Sequence, residues 1–166
     1  MLLLGLVILV LFIIWFWRAA KNNEALGRVG ARLGPGWAIG GWFIPFANLV
    51  IPVLILQDLW RGADPEVPRG DPGWRARRGS ALIGWYWAIY LVSFLRFGVG
   101  RTQAHLAFAS QLRGLRAHDV VGIIGMAFGI AAAVLAVFVV RGLTARQADC
   151  LRAQQAAWRA ANPGVE

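Results

Sequence analysis

Few residues of this chain are of types that do chemistry, and their spacing decides most cases. His105 and His118 are the only histidines, thirteen residues apart. On one helix that separation is about 20 Å of rise and roughly 140° of rotation, so a single metal ion cannot hold both. Cys150 is the only cysteine, which rules out an internal disulfide or a cysteine-based zinc site within one chain and leaves a small buried or interfacial apolar residue. Asp64, Glu66 and Asp71 cluster closely enough to bind a divalent cation, but Arg61, Arg69, Arg75, Arg77 and Arg78 lie among them, and solvated ion pairs are the simpler outcome. No glycine-rich phosphate loop follows a strand, and no G-x-S-x-G occurs. The expectation is a chain with no metal, no cofactor and no catalytic set.

What polar chemistry remains lies in "WFIPFANLVIPVLIL", residues 42–56, a stretch apolar enough for a bilayer that nonetheless carries two prolines and an asparagine. Proline cannot donate to the carbonyl four residues earlier, so within a helix Pro45 strands the carbonyl of Gly41 and Pro52 that of Asn48. In hydrocarbon an unpaired carbonyl costs several kcal/mol, and irregular backbone persists only inside protein or beside water. Gly40 and Gly41 weaken any continuous helix further. The segment is expected to be broken, either re-entrant or proline-kinked, with Gly41, Pro45, Asn48 and Pro52 as candidates for contact with a ligand or ion. Asp58 joins them near an interface, beside Gln57. An asparagine in a membrane equally serves as glue between helices, at about 0.6 kcal/mol, and both roles stay open for Asn48.

These residues must be positioned by membrane helices. Hydrophobic residues make up 58% of the chain and the mean hydropathy is +0.58, far above soluble usage. Four apolar segments, 1–17, 37–60, 80–98 and 120–140, each approach the ~20 residues that cross ~30 Å of hydrocarbon. The first lacks a charged leader region and a cleavage site, and so reads as a retained anchor. Trp15, Trp17, Trp37, Trp42, Trp60, Trp85 and Trp87 fall near segment ends, as an interfacial belt does. Residues 18–33 and 101–116 have the periodicity of amphipathic helices lying in the headgroup region. Residues 141–160 continue the last segment as an amphipathic tail that either projects or pairs with a neighbour. Residues 61–79, rich in Pro, Gly and charge, form a loop. Asp119 is placed to cap the last segment, and Gly122, Gly125 and Gly129 give that segment a face for close helix packing. The fold class is thus all-α: three transmembrane helices plus one proline-broken fourth membrane segment, with amphipathic interfacial helices. The domain organisation is a single helical membrane domain over 1–140 followed by a helical tail over 141–166.

The formal net charge of +9 is carried almost wholly by arginine, and Lys21 is the only lysine. Apolar segments divide these charges among short loops, which argues against a nucleic-acid-binding face and for a bilayer with anionic headgroups, at about 1 kcal/mol per well-placed basic side chain. The charges also discriminate between threadings. If all four segments cross, Lys and Arg divide eight against nine; if residues 37–60 dip in and return, they divide thirteen against four. The positive-inside rule prefers the second, with the thirteen and the tail in the cytoplasm.

Four stretches in order, "WRAAKNNEALG" (17–27), "GWAIGGWFIPFANLVIP" (36–52), "LWRGADP" (59–65) and "GWYWAIYLVS" (84–93), resemble an uncharacterised bacterial membrane family, the domain of unknown function 4328. The resemblance covers roughly residues 15–100. It is carried by Asn22, Leu26, Gly27, Trp37, Trp42, Phe43, Pro45, Asn48, Leu49, Pro52, Leu59, Trp60, Arg61, Asp64 and Pro65. Members of that family usually carry a further membrane helix and a proline-rich stretch upstream, and a polar or basic turn after the second proline, where this chain has "VLIL". The resemblance implies a multi-pass protein of the bacterial cell membrane and no established activity. Three functions fit the residues. The first is a non-enzymatic scaffold or small subunit acting through helix–helix and headgroup contacts, as a homo-oligomer or with a membrane-protein partner. The second is a small channel or transporter using Asn48 and the carbonyls freed by Pro45 and Pro52, and the third a lipid-modifying enzyme using Asp58 and Asp64.

Overall fold

The computed structural model describes residues 2–93 and 115–163, with side chains over 3–93 and 123–163. The described residues are helical, with no strand among them. Helix α1 runs from Leu2–Ala25, α2 is a single turn at Trp37–Gly40, and α3 spans Ile51–Gly62. Helix α4 covers Ala81–Ser93 and α5 covers Leu115–Ala161. Short 3-10 turns stand at Ala47–Leu49 and Pro72–Ala76.

Among the described residues two helices are long and apolar enough to cross a membrane: one within α1, and one in α5 from Ile123 onward. Leu3, Leu4, Leu6, Ile8 and Leu11 are each more than half exposed, an apolar surface that a water-soluble fold would bury. The expected total of three spans plus a fourth segment is corrected by this count. Helix α4 has thirteen described residues, about 20 Å of rise, short of a crossing, and the end of its segment lies outside the described residues. Residues 37–60 are not one helix at all. The break comes where proline demands it: the chain leaves α2 at Gly41, passes through turns, and resumes a helix only at Ile51, with Pro52 in the first turn of α3, where its missing N–H costs nothing.

The stretch expected as a surface helix over 18–33 is also different. Helix α1 carries on through Arg18 and Lys21 and ends at Ala25 in a Schellman motif. The Arg28 amide donates to the Asn23 carbonyl (3.2 Å) and the Gly27 amide to that of Glu24 (2.8 Å). Gly27 takes φ +76°, the left-handed conformation that closes such a cap. Its absent side chain matters twice, because a Cβ there would stand 2.7 Å from Cγ of Arg69. Of the companion helix expected over 101–116, residues 101–114, with His105, lie outside the described residues, and residues 115–116 belong to α5.

The chain divides into two compact units, residues 1–80 with 141–166, and residues 81–140. In the first, the end of α1, the loop after α3 and the C-terminal part of α5 share one core, with Phe16, Leu56, Val67, Trp74, Leu143 and Cys150 fully buried. The tail therefore pairs within its own chain. In the second, Tyr86, Trp87 and Tyr90 of α4 form a run of ring contacts at 5.0–6.2 Å.

Candidate functional site

Two regions of the first unit concentrate its polar and irregular features. One is a polar knot centred on Arg28, which the Schellman cap turns inward and which is 3% exposed. Its guanidinium meets the backbone of the loop after α3. Nε donates to the Gly62 carbonyl (2.7 Å), Nη1 to Pro68 (2.6 Å) and Nη2 to Val67 (3.0 Å), with Cys150 Sγ at 3.3 Å. Charge-assisted bonds to carbonyls contribute about 1.5–3 kcal/mol each, and the planar fork of arginine can serve several at once. The same loop is tied again from outside. Trp74, fully buried, donates Nε1 to the Val29 carbonyl (2.8 Å), and Arg146 of α5 pairs with Asp64 (3.3 Å) while its guanidinium lies 4.9 Å over the Trp60 ring. Gln147 donates to the Ala19 carbonyl (3.0 Å) and accepts from Asn22 (3.3 Å), fixing α5 to α1.

Asp58 belongs to this knot. It is 5% exposed and faces two guanidinium groups, Arg61 at 3.2 Å and Arg32 at 3.7 Å. Its neighbour Gln57 makes a reciprocal pair with the Ser80 backbone, donating at 2.9 Å and accepting at 2.8 Å. Gly62 sits directly beneath the carboxamide of Asn23, which is 4% exposed and whose Oδ1 has no hydrogen-bond partner among the described residues. A small cavity of about 30 Å³ lies alongside, lined by Asn23, Arg28, Arg32, Asp58 and apolar neighbours.

The other region is the turn over residues 42–50. Phe43, Ile44, Phe46 and Val50 are exposed, Phe46 at 84%. Phe46 has φ +62° and ψ −37°, and the Ala47 amide donates across it to the Pro45 carbonyl at 2.8 Å. That is the rare form of γ-turn, strained for a residue with a side chain. Trp42 anchors the base of the turn on α1, edge-on to Phe12 and Phe16 at 5.7 and 6.2 Å. Ile51 closes it against Gly41, where a Cβ would lie 2.6 Å from Ile51 Cγ2.

A family model for a domain of unknown function, DUF4328, matches residues 1–145. The chain belongs to this family. No curated protein and no solved structure matches it. Most of the positions that carry the family resemblance fall into the two regions just described. Asn22, Gly27, Trp60, Arg61 and Asp64 build the knot, whereas Trp42, Phe43, Pro45 and Asn48 build the turn.

The five candidate contact residues are not gathered in one place. Pro45 is exposed and Asn48 half-buried on the turn, Gly41 and Pro52 are packed beneath it, and Asp58 lies six residues beyond Pro52, about 9 Å along α3. The Asn48 side chain makes no hydrogen bond with any described residue, and no described backbone amide donates to the Gly41 carbonyl. Among the acidic cluster, Asp64 pairs with Arg146, Glu66 with Arg77 (3.5 Å), and Asp71 accepts from the Gly73 amide (2.8 Å), so each has its own local partner. Of the tryptophans, Trp17, Trp37 and Trp85 are exposed, Trp87 is buried, and Trp15 donates to Thr144 Oγ1 (3.3 Å). Gly125 and Gly129 have no described atom where a Cβ would point; the surroundings of Gly122 lie outside the described side chains.

Arg28, Asn23, Trp74 and Arg146 were not singled out by sequence reasoning. Gly27 held the available signal, since a glycine after a helix pattern marks a C′ position and the next residue then leaves the helix face its periodicity assigns.

Proposed function

We propose that this chain is a non-enzymatic integral membrane protein that acts as a scaffold or small subunit through helix–helix and lipid-headgroup contacts. The observation that carries this is that the buried charged groups of the first unit are engaged with partners inside the chain. Arg28 is taken up by carbonyls, Asp58 by two arginines and Asp64 by Arg146, so both carboxylates of the lipid-modifying scheme are already engaged in ion pairs. What stays open is apolar helix surface and a basic exterior.

Re-entry of residues 37–60 is supported by bonds between the two flanks of that segment. Residues 28–30 bond directly to residues 62–75, through Arg28, Trp74 and Arg75 (Arg75 to the Gly30 carbonyl, 3.1 Å). Flanks that touch belong on one face of a membrane, and with the tail they carry thirteen of the seventeen basic residues; the positive-inside rule then puts that face in the bacterial cytoplasm. Anionic headgroups are the natural partner of such a surface, and a second copy or another membrane protein is the natural partner of the open glycine face of α5.

The experiment is purification from membranes in mild detergent, followed by reconstitution into sealed liposomes. A scaffold or subunit retains a stoichiometric membrane-protein partner, or its own copy, and adds no flux of ions or small solutes. Flux that Asn48→Leu abolishes would replace this function with the channel or transporter reading, which draws on the Asn48 carboxamide and the Gly41 carbonyl, neither of them bonded among the described residues.

A further inference from the structure

We infer that the turn over residues 42–50 is a wedge inserted into a single membrane leaflet, with Phe43, Ile44, Phe46 and Val50 among acyl chains and the Asn48 carboxamide at the level of the lipid ester groups. This rests on the re-entrant reading and gives it a depth and a lipid partner. Four observations carry it. The turn exposes four large apolar side chains, and the backbone is strained where the most exposed of them, Phe46, is held outward. Strain persists only where the surrounding structure enforces it, here through the Trp42 anchor on α1 and the Ile51 closure on Gly41. The apolar surface of the turn is also continuous, across Trp42 and Phe12, with the exposed apolar face of α1.

Depth follows from the anchor and from the way the turn is wound. Trp42 meets α1 at Phe12 and Phe16, and Arg18, the first charge on that helix, lies six residues beyond Phe12, about 9 Å along the axis. The base of the turn therefore sits just below the charged level. Beyond it the chain is folded into tight turns, with hydrogen bonds from Ala47 to Pro45, Leu49 to Phe46 and Val50 to Ala47. Four residues out and four back at the ~2 Å rise of such turns extend about 8 Å. That stays within one leaflet of a ~30 Å core, so the tip does not reach the middle of the bilayer. At that shallow depth an unbonded carboxamide finds ester carbonyls and water, whereas a polar path across the membrane requires an asparagine near the midplane.

The test is nitroxide labelling of Phe46→Cys and Phe43→Cys in the full chain, reconstituted in vesicles of phosphatidylcholine and phosphatidylglycerol. Native Cys150 is fully buried and stays unlabelled while the protein is folded. Collision with oxygen should exceed collision with a water-soluble nickel chelate several-fold at both sites. The depth obtained should be shallower than that of Leu9→Cys in the middle of α1, and Arg78→Cys should give the opposite preference. A label at residue 46 as deep as the one at residue 9 overturns the wedge, as does one freely reached by nickel. A label immobile and shielded from both reagents overturns it in favour of a covering protein, either a second copy or another partner. Should Phe46→Cys fail to fold, Phe43→Cys gives the same decision. Re-entry is judged separately by a membrane-impermeant thiol reagent on Lys21→Cys and Arg78→Cys. Reaction from opposite sides removes re-entry itself, whereas reaction from one side with a midplane depth at residue 46 removes the wedge alone.

Discussion

Arg28 and Phe46 each follow a break in helical structure, yet the first is 3% exposed and the second 84%. Around Arg28 the irregular backbone and the buried charges meet partners: carbonyls meet guanidinium groups, an indole meets a carbonyl, and a buried carboxylate meets two arginines. Around Phe46 the backbone bends through a strained conformation, and the large side chains face away from the protein. The knot engages its charged groups internally, whereas the turn leaves its large apolar side chains uncovered by the described residues. Stability should therefore reside in the first region and external contact in the second, so substitutions ought to separate the two.

The largest effect is expected from Arg28→Met. The change keeps much of the side-chain volume but leaves the carbonyls of Gly62, Val67 and Pro68 without their donor, at about 1–3 kcal/mol for each group that stays buried. That is a large share of the 5–15 kcal/mol by which a domain is stable. Thermal unfolding followed by circular dichroism in detergent should show a folded state lost or lowered by many degrees, while Phe46→Ser measured the same way stays near wild type. Equal melting of the two would remove the contrast.

Gly62→Ala should cost somewhat less, about 1–3 kcal/mol, because the new methyl group enters the space held by the Asn23 carboxamide. The same substitution in an Asn23→Ala background should recover most of that loss. Such coupling, read as non-additive midpoints, is what direct contact produces; simple additivity would mean that the carboxamide swings aside. Asp58→Asn comes next, at about 1 kcal/mol, because Arg61 and Arg32 are partly exposed and water screens the charges left behind. Its midpoint shift should shrink as salt is added to the wild type, since the ion pairs being compared are themselves screened.

The two regions were unequally legible in the sequence. Proline writes a break directly, because a missing N–H is a property of one residue and needs no knowledge of the rest of the fold; Pro45 and Pro52 thus marked the interruption between α2 and α3. The knot depends on contacts between residues 28, 62–74 and 146–150, and nothing local in "GRVGARLG" states that its first arginine points inward. Helical periodicity over residues 18–33 describes an amphipathic surface helix, and the left-handed turn at Gly27 redirects Arg28 out of it. Likewise the tail's spacing identified an amphipathic helix, while its docking partner, the end of α1, is more than a hundred residues away in sequence. The span count differs as well: among the described residues only α1 and α5 are long and apolar enough to cross a membrane.

The smallest expected effect has the opposite sign. Phe46→Gly removes the side chain that makes φ +62° costly, and releasing strain of this kind stabilises by about 1 kcal/mol where the glycine keeps the native backbone. In detergent the variant should therefore melt slightly higher than wild type. It also deletes the most exposed apolar group of the turn, so the label depth at residue 43 in vesicles should become shallower. A natural residue that lowers the stability of its own fold while strengthening an external contact separates the two functions within a single side chain. If Phe46→Gly instead lowers the midpoint, Phe46 packs inward in solution, and the division between a self-satisfied knot and an outward-facing turn has to be redrawn at that residue.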